Sequence, residues 1–114
     1  MNATKDLTIT TIGRKTGRLR TTTHPFGADG DQLVLVGPGS AAGPHLPGWY
    51  QDLMAHPDAE VQLGGRRLHV RAHTAHGAER RRLWTKLVAA QPVYQRYAEA
   101  ARGEIPVVVL EATA

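Results

Sequence analysis

Glu60-Val61-Gln62-Leu63-Gly64-Gly65-Arg66-Arg67-Leu68-His69-Val70-Arg71-Ala72-His73-Thr74 is the stretch that decides the fold class. Two strand-like segments flank a Gly-Gly pair, the turn chemistry of a β-hairpin. Upstream, Gly48 to Ala55 puts Trp49 and Leu53, with Tyr50 and Met54, on one side of a short helix. Pro47 suits its first turn, and His56-Pro57 stops it. Gln32 to Val36 is an apolar run too short for a stable helix and reads as a buried strand. Gly27-Ala28-Asp29-Gly30-Asp31 before it has turn chemistry. Leu7 to Ile12 is rich in β-branched residues and ends at Gly13, a first strand; Thr21-Thr22-Thr23-His24 starts a second, which Pro25 interrupts. Downstream, Leu83, Trp84, Leu87 and Val88 give Glu79 to Gln91 a helical period. Pro92 turns that helix into a short one carrying Tyr94 and Tyr97, and Ile105 to Leu110 reads as a final buried strand. Five or six strands with two or three helices, mostly in hairpin order, predict an α+β protein: an antiparallel barrel or roll.

With 114 residues the chain is expected to be one domain, 1–114, with a single core. Hydrophobic residues at 41% and charged residues at 21% exclude wholesale disorder. No apolar run approaches the ~20 residues of a membrane-spanning helix, which leaves at most peripheral membrane contact. Zero cysteines exclude a disulfide framework, a thiolate nucleophile and a Cys-based metal site. Together with the absence of an apolar leader core in Met1 to Asp6, this points to the cytoplasm. The net charge of +4 is concentrated: Lys5, Arg14, Lys15, Arg18 and Arg20 stand against Asp6 alone in residues 1–28, and the remainder is neutral. A cationic loop of this kind suits an anionic partner, such as a phosphate, a polycarboxylate or nucleic acid, or is a solvated basic hairpin.

Conventional catalytic signatures are missing. His69 and His73 lie on one strand face about 13 Å apart, too far to share a metal, so no metal site is expected. Asp52 and Asp58 read as ordinary helix-end residues, and Arg80-Arg81-Arg82 as a solvated helix face. What remains is the basic loop, a small-residue loop over Gly37 to Pro44, the Trp49-Tyr50 pair, and Tyr94 with Tyr97. Arginine grips phosphate with paired hydrogen bonds, and aromatic faces hold a flat ring, so these suit a phosphorylated planar cofactor. They also suit single-stranded nucleic acid, but 5% aromatic residues is sparse for a base-stacking platform.

Gly13-Arg14-Lys15-Thr16-Gly17-Arg18-Leu19-Arg20, Pro47-Gly48-Trp49-Tyr50-Gln51-Asp52-Leu53-Met54-Ala55-His56-Pro57, Glu79-Arg80 through Leu83-Trp84, Pro92-Val93-Tyr94-Gln95-Arg96-Tyr97 and Ile105 to Leu110 carry a further signal. In this order and spacing the chain resembles the deazaflavin-dependent nitroreductase family of actinobacteria, whose members use coenzyme F420 on a split β-barrel of the PNPOx-like kind. The resemblance implies an F420H2-dependent oxidoreductase that passes hydride from the reduced deazaflavin to a quinone, a nitro compound or a similar acceptor. A split-barrel protein that binds F420, flavin or fatty acid without turnover is the alternative, and a small basic nucleic-acid-binding module is the third.

The resemblance also implies roles. Arg14, Lys15 and Arg20 would hold the coenzyme's phosphate and acidic tail. Thr21 to Thr23, with Thr22 and Thr23 as contacts, would run beside the ring, and Gly39, Ser40, Ala41 and Ala42 would meet it. Trp49 would pack near the tail or the barrel mouth. Tyr94 and Tyr97 would line the substrate side, with Tyr97 the proton donor or substrate orienter. This chain departs from the family pattern at Thr23, where proline is frequent, and at Pro25, where an aromatic is. It departs also at the Gly-Ser-Ala-Ala loop and at Gln91, a third tyrosine position. Relatives carry an N-terminal helical extension, whereas this chain begins almost at its first strand. An open pocket, or one completed by a partner chain in a homodimer, is therefore expected.

Overall fold

The computed structural model describes residues 6–37, 48–100 and 105–113. Among these residues seven strands and three helices follow in the order β1 (Asp6–Ile12), β2 (Leu19–Pro25), β3 (Gly27–Asp29), β4 (Gln32–Val36), α1 (Gly48–Ala55), β5 (Asp58–Leu63), β6 (Arg66–Thr74), α2 (Gly77–Ala90), α3 (Val93–Ala100) and β7 (Val107–Ala112). All pairings are antiparallel, in the sheet order β2-β1-β5-β6-β7-β4-β3. The two ends of that order, β2 and β3, are neighbours in the chain, separated by Phe26 alone. One segment therefore bends at Pro25-Phe26-Gly27 and forms both ends of a curled sheet, a half-barrel.

Alternation along the strands sorts side chains between two cores. Leu7, Ile9, Leu35, Val61, Val70, Val108 and Leu110 point inward, where Trp49 and Leu53 of α1 plug one end. Val34, Val36, Val107 and Val109 point outward and are covered by Leu83 and Leu87 of α2 and Tyr94 of α3. The exterior of β2, β1, β5 and β6 carries instead a polar ladder, in which Thr8 meets Thr23 at 3.3 Å and Thr10 meets Thr21 at 3.0 Å.

Four expectations change. Gly27 to Asp29 is a short strand paired with Gln32 to Val34, and only Gly30-Asp31 makes the turn; a strand of three residues is too short to show a period. Pro25 closes β2 rather than interrupting it, and the last strand starts at Val107. The arginines of α2 are not a bare solvated face. Arg80 donates to the Ile105 carbonyl at 2.7 Å and lies over the Trp84 ring, and Arg82 grips Asp29 with two bonds of 2.9 and 3.1 Å.

Candidate active site

The basic loop is a tight turn between β1 and β2. Gly13 N–H donates to the Arg18 carbonyl at 2.8 Å, Gly17 N–H donates to the Gly13 carbonyl at 2.9 Å, and Thr16 Oγ1 accepts from Arg18 N–H at 3.1 Å. Gly17 has φ +71°, a left-handed conformation that glycine adopts without strain. A side chain on Gly13 would meet Thr16 Oγ1 at 2.8 Å, so the first glycine allows the turn to close on itself.

This turn is fastened to α1 by a residue that sequence reasoning took for an ordinary helix end. Asp52 is fully buried. Its Oδ1 accepts from both the Arg14 backbone N–H at 3.1 Å and Arg14 Nη1 at 2.9 Å, and its Oδ2 stands 3.5 Å from Arg20 Nε. Burial raises the Asp52 pKa, but the Arg14 backbone and side-chain hydrogen bonds and the Arg20 charge outweigh it and hold the carboxyl below its ordinary range. The carboxylate is therefore ionised at neutral pH. Lys15 and Arg18 are exposed on the same turn, so four cations face one anion. Asp58, by contrast, is exposed and pairs with Arg71 at 3.4 Å.

Residues alternate along β2. Arg20, Thr22 and His24 pair with Thr11, Ile9 and Leu7, and so share the inward face with α1. Thr23 pairs with Thr8 on the exterior ladder. Thr22 and Thr23, expected as joint contacts, thus lie on opposite faces. His24, which sequence reasoning passed over, contacts Thr22 Oγ1 through Nε2 at 2.7 Å, and its ring lies 4.6 Å from that of Trp49. Burial lowers its pKa, opposed by the charge of Asp6. Trp49 is itself mostly buried and meets Tyr50 edge-on at 6.3 Å. Tyr50 is tied to Thr74 Oγ1 at 2.9 Å, while Met54 turns outward and accepts from Thr74 at 3.2 Å rather than packing with Leu53. Asp52 occupies the buried position instead.

Tyr94 and Tyr97 touch at 6.0 Å between ring centres, but their environments differ. Tyr94 is 4% exposed within the outer core, whereas Tyr97 is 40% exposed. Burial pushes the Tyr94 hydroxyl pKa up, and the charges of Tyr97 and Asp6 add to it. Tyr94 packs with Leu83, Leu87, Val107 and Val109 in the outer core, whereas Trp49 belongs to the inner one. Gly39, Ser40, Ala41 and Ala42 fall outside the described residues, as does Pro47. The described chain on either side of them, Gly37 and Gly48, lies at this site: a Cβ on Gly37 would sit 3.5 Å from the Trp49 ring, and one on Gly48 would sit 3.1 Å from Arg20 Nη2.

Among the described residues no cluster of three His or acidic groups could hold a metal. His69 faces Glu60 at 4.0 Å, and His73 sits between Glu79 at 3.1 Å and Glu111 at 3.5 Å. No described helix is long and apolar enough to cross a membrane.

A family model described as F420H(2)-dependent quinone reductase matches residues 1–112. The F420H(2)-dependent quinone reductase Rv1261c of Mycobacterium tuberculosis is 36% identical over 112 residues, covering 95% of this chain and 74% of that protein. Among solved structures, an F420-H2 dependent reductase (FDR-A) aligns with a TM-score of 0.82 and 27% identity over 97% of this chain and 99% of its own. A structure described as a domain-swapped dimer aligns with a TM-score of 0.84 and 28% identity over 96% of this chain and 82% of its own. A pyridoxamine 5'-phosphate oxidase type of protein from Listeria innocua, at 12% identity and a TM-score of 0.62, shares the fold alone, the split barrel.

Proposed function

The chain belongs to the F420H(2)-dependent quinone reductase family, and we propose that its basic turn holds the anionic end of coenzyme F420 while Tyr97 serves the acceptor. It is an F420H2-dependent oxidoreductase of the split-barrel kind. When bound, reduced F420 supplies a hydride to an electron-poor quinone. The residues fit such a group on two counts. Arg14, Lys15, Arg18 and Arg20 exceed the single Asp52 charge among them, and Gly48 leaves open the space beside Arg20 Nη2 that a Cβ would narrow to 3.1 Å.

Each residue has a distinct task in this reading. Arg14, Lys15 and Arg20 bind phosphate and carboxylate oxygens, the arginines through planar pairs of donors and the lysine as a compact charge. Thr22 offers a hydroxyl on the inward face, Thr23 one on the exterior, and a ring in contact with one is not in contact with the other. Trp49, wedged between His24 and Gly37, forms an apolar wall rather than a free stacking plate. Tyr97 Oη, exposed and without the burial of Tyr94, donates a proton to the acceptor oxygen, and Tyr94 supports its ring. Gly39, Ser40, Ala41 and Ala42 remain proposed ring contacts on the resemblance alone.

The observation that carries the reading is the concentration of the chain's excess positive charge on one turn braced against α1. Mixing the protein with reduced F420 and a soluble quinone should regenerate oxidised coenzyme at a rate proportional to enzyme. Tyr97→Phe should lower kcat by about a hundredfold with coenzyme affinity unchanged, the lower end of the range for general acid catalysis. Failure to bind either redox form of F420 would overturn the assignment. A homodimer belongs to the same proposal: one similar solved structure is described as a domain-swapped dimer, and Leu19 is 72% exposed on a sheet exterior that the described helices leave uncovered. Light scattering of the purified protein reads it directly. The absence of cysteine fits a reducing cytoplasmic setting, the remaining part of the proposal.

A further inference from the structure

Asp52 is an anomaly for a site that binds anions. A negative charge set between two arginines lowers the positive potential they offer, and burying it costs solvation that the pairing must offset. Attraction alone would be served better by a neutral residue. What the carboxylate supplies is geometry. Its Oδ1 holds Arg14 at two points, backbone N–H and Nη1, so the turn and the guanidinium head are fixed together across 38 residues of sequence. Its Oδ2, buried and without a hydrogen bond, faces Arg20 Nε at 3.5 Å, while Arg20 Nη2 lies beside Gly48 at the start of α1.

We infer that Asp52 is a positioning residue for anion recognition: its buried carboxylate sets the orientation of the Arg14 and Arg20 guanidinium groups and gives up part of their charge in exchange. The inference rests on the reading that this corner takes the anionic end of the coenzyme. It implies that Oδ2 is a seat for Arg20, whose Nε closes to hydrogen-bond distance when an anion draws the side chain into register. An arginine held in this way loses less freedom on binding than one that searches from solvent.

Asp52→Asn separates charge from geometry by the sign of its effect. The amide keeps the shape and one acceptor for Arg14, adds one net positive charge to the corner, and turns an N–H group towards Arg20 Nε. Electrostatics alone makes this variant bind oxidised F420 and inorganic phosphate more tightly. Positioning makes it bind both more weakly, by about tenfold for F420, the effect of losing one charge-assisted contact. The loss should appear as a raised KM for reduced F420, and so in kcat/KM, because it falls on binding. Asp52→Glu holds charge constant and displaces the carboxylate by one methylene; it too should weaken F420 binding. Affinity is read by coenzyme fluorescence, phosphate binding by thermal shift, and folding by each variant's melting temperature.

Folded Asp52→Asn protein with equal or tighter affinity overturns the inference, as does wild-type affinity in Asp52→Glu. If Asp52→Asn fails to fold, Asp52→Glu decides. If neither folds, Asp52 is a stability residue and the inference falls. Wild-type protein that binds no F420 is a different result, since it removes the proposed function rather than the role of Asp52 within it.

Discussion

Two carboxylates in this molecule each hold two cations, and they hold them for different ends. Asp29, on β3, takes Arg82 at 2.9 Å and Lys86 at 3.0 Å from α2. Asp52, on α1, takes Arg14 at 2.9 Å and Arg20 at 3.5 Å from the β1–β2 turn. The Asp29 group lies on the surface, with its cations half in water, and it spans a strand and the helix that covers it. The Asp52 group has a wholly buried centre and a rim of partly exposed arginines, with Lys15 and Arg18 beyond it. In the first, a single positive charge is left over and the group staples a sheet end. In the second, charge is left in surplus and made rigid. The stoichiometry of an ion group thus says little about its task, whereas the position of the carboxylate relative to solvent, and the unspent cations around it, say a great deal.

The largest expected contrast is in coenzyme binding. Neutralising Arg14, Lys15 and Arg20 together should raise the dissociation constant for F420 by about three orders of magnitude, since each charged contact contributes roughly 1.5–3 kcal/mol. Neutralising Arg82 and Lys86 should leave it where it was. Fluorescence titration of both variants breaks the comparison if the two behave alike. Next comes stability. Asp52→Ala strands the Arg14 backbone N–H and two guanidinium groups and should cost about 2–4 kcal/mol in urea denaturation, far more than Asp29→Ala. At the sheet end that Asp29 staples, Gly27→Ala would bring a Cβ to 2.6 Å from Leu87 Cδ2. Leu87 belongs to the outer core and has little room to yield, so a loss of about 1–3 kcal/mol is expected by the same assay.

The smallest effect is a pH signature. Hydrogen bonds from Arg82 and then Lys86 lower the Asp29 pKa from 3.8 to about 2. The folded state therefore takes up this proton less readily than the unfolded chain. The group's stabilisation is complete above pH 3.8 and drains away as pH falls towards 2. Wild type and Asp29→Asn should differ in stability near neutrality and converge through that acid window. A gap that persists to the lowest pH would mean that the Asp29 charge is not what holds the staple.

Legibility followed the range of the interaction. The β5–β6 hairpin could be read from Gly64-Gly65 and its flanks, and α1 and α2 from their spacing and their proline stops, because those signals are local. The basic turn was legible from charge counting alone. Asp52 was not: on a short amphipathic helix an aspartate looks like a solvent-facing residue, and its partners lie more than thirty positions away. The links from Arg80 to Ile105 and from Arg82 to Asp29 were hidden for the same reason. The division of Thr22 from Thr23 was available in principle, because the period of two along β2 puts Arg20 with Thr22 and leaves Thr23 on the far side. Closure of the half-barrel through Phe26 left no local trace, since a three-residue strand has no pattern of its own.

The place of β7 has a bearing on how the molecule is made. It lies between β6 and β4 and sends Val108 and Leu110 into one core and Val107 and Val109 into the other. Hairpins upstream can form on a nascent chain while it is still being extruded, but neither apolar interior is whole until Leu110 has cleared the ribosome. Acquisition of the native state thereby waits on this one strand, and a ribosome stalled before it would present both unfinished interiors to chaperones and proteases.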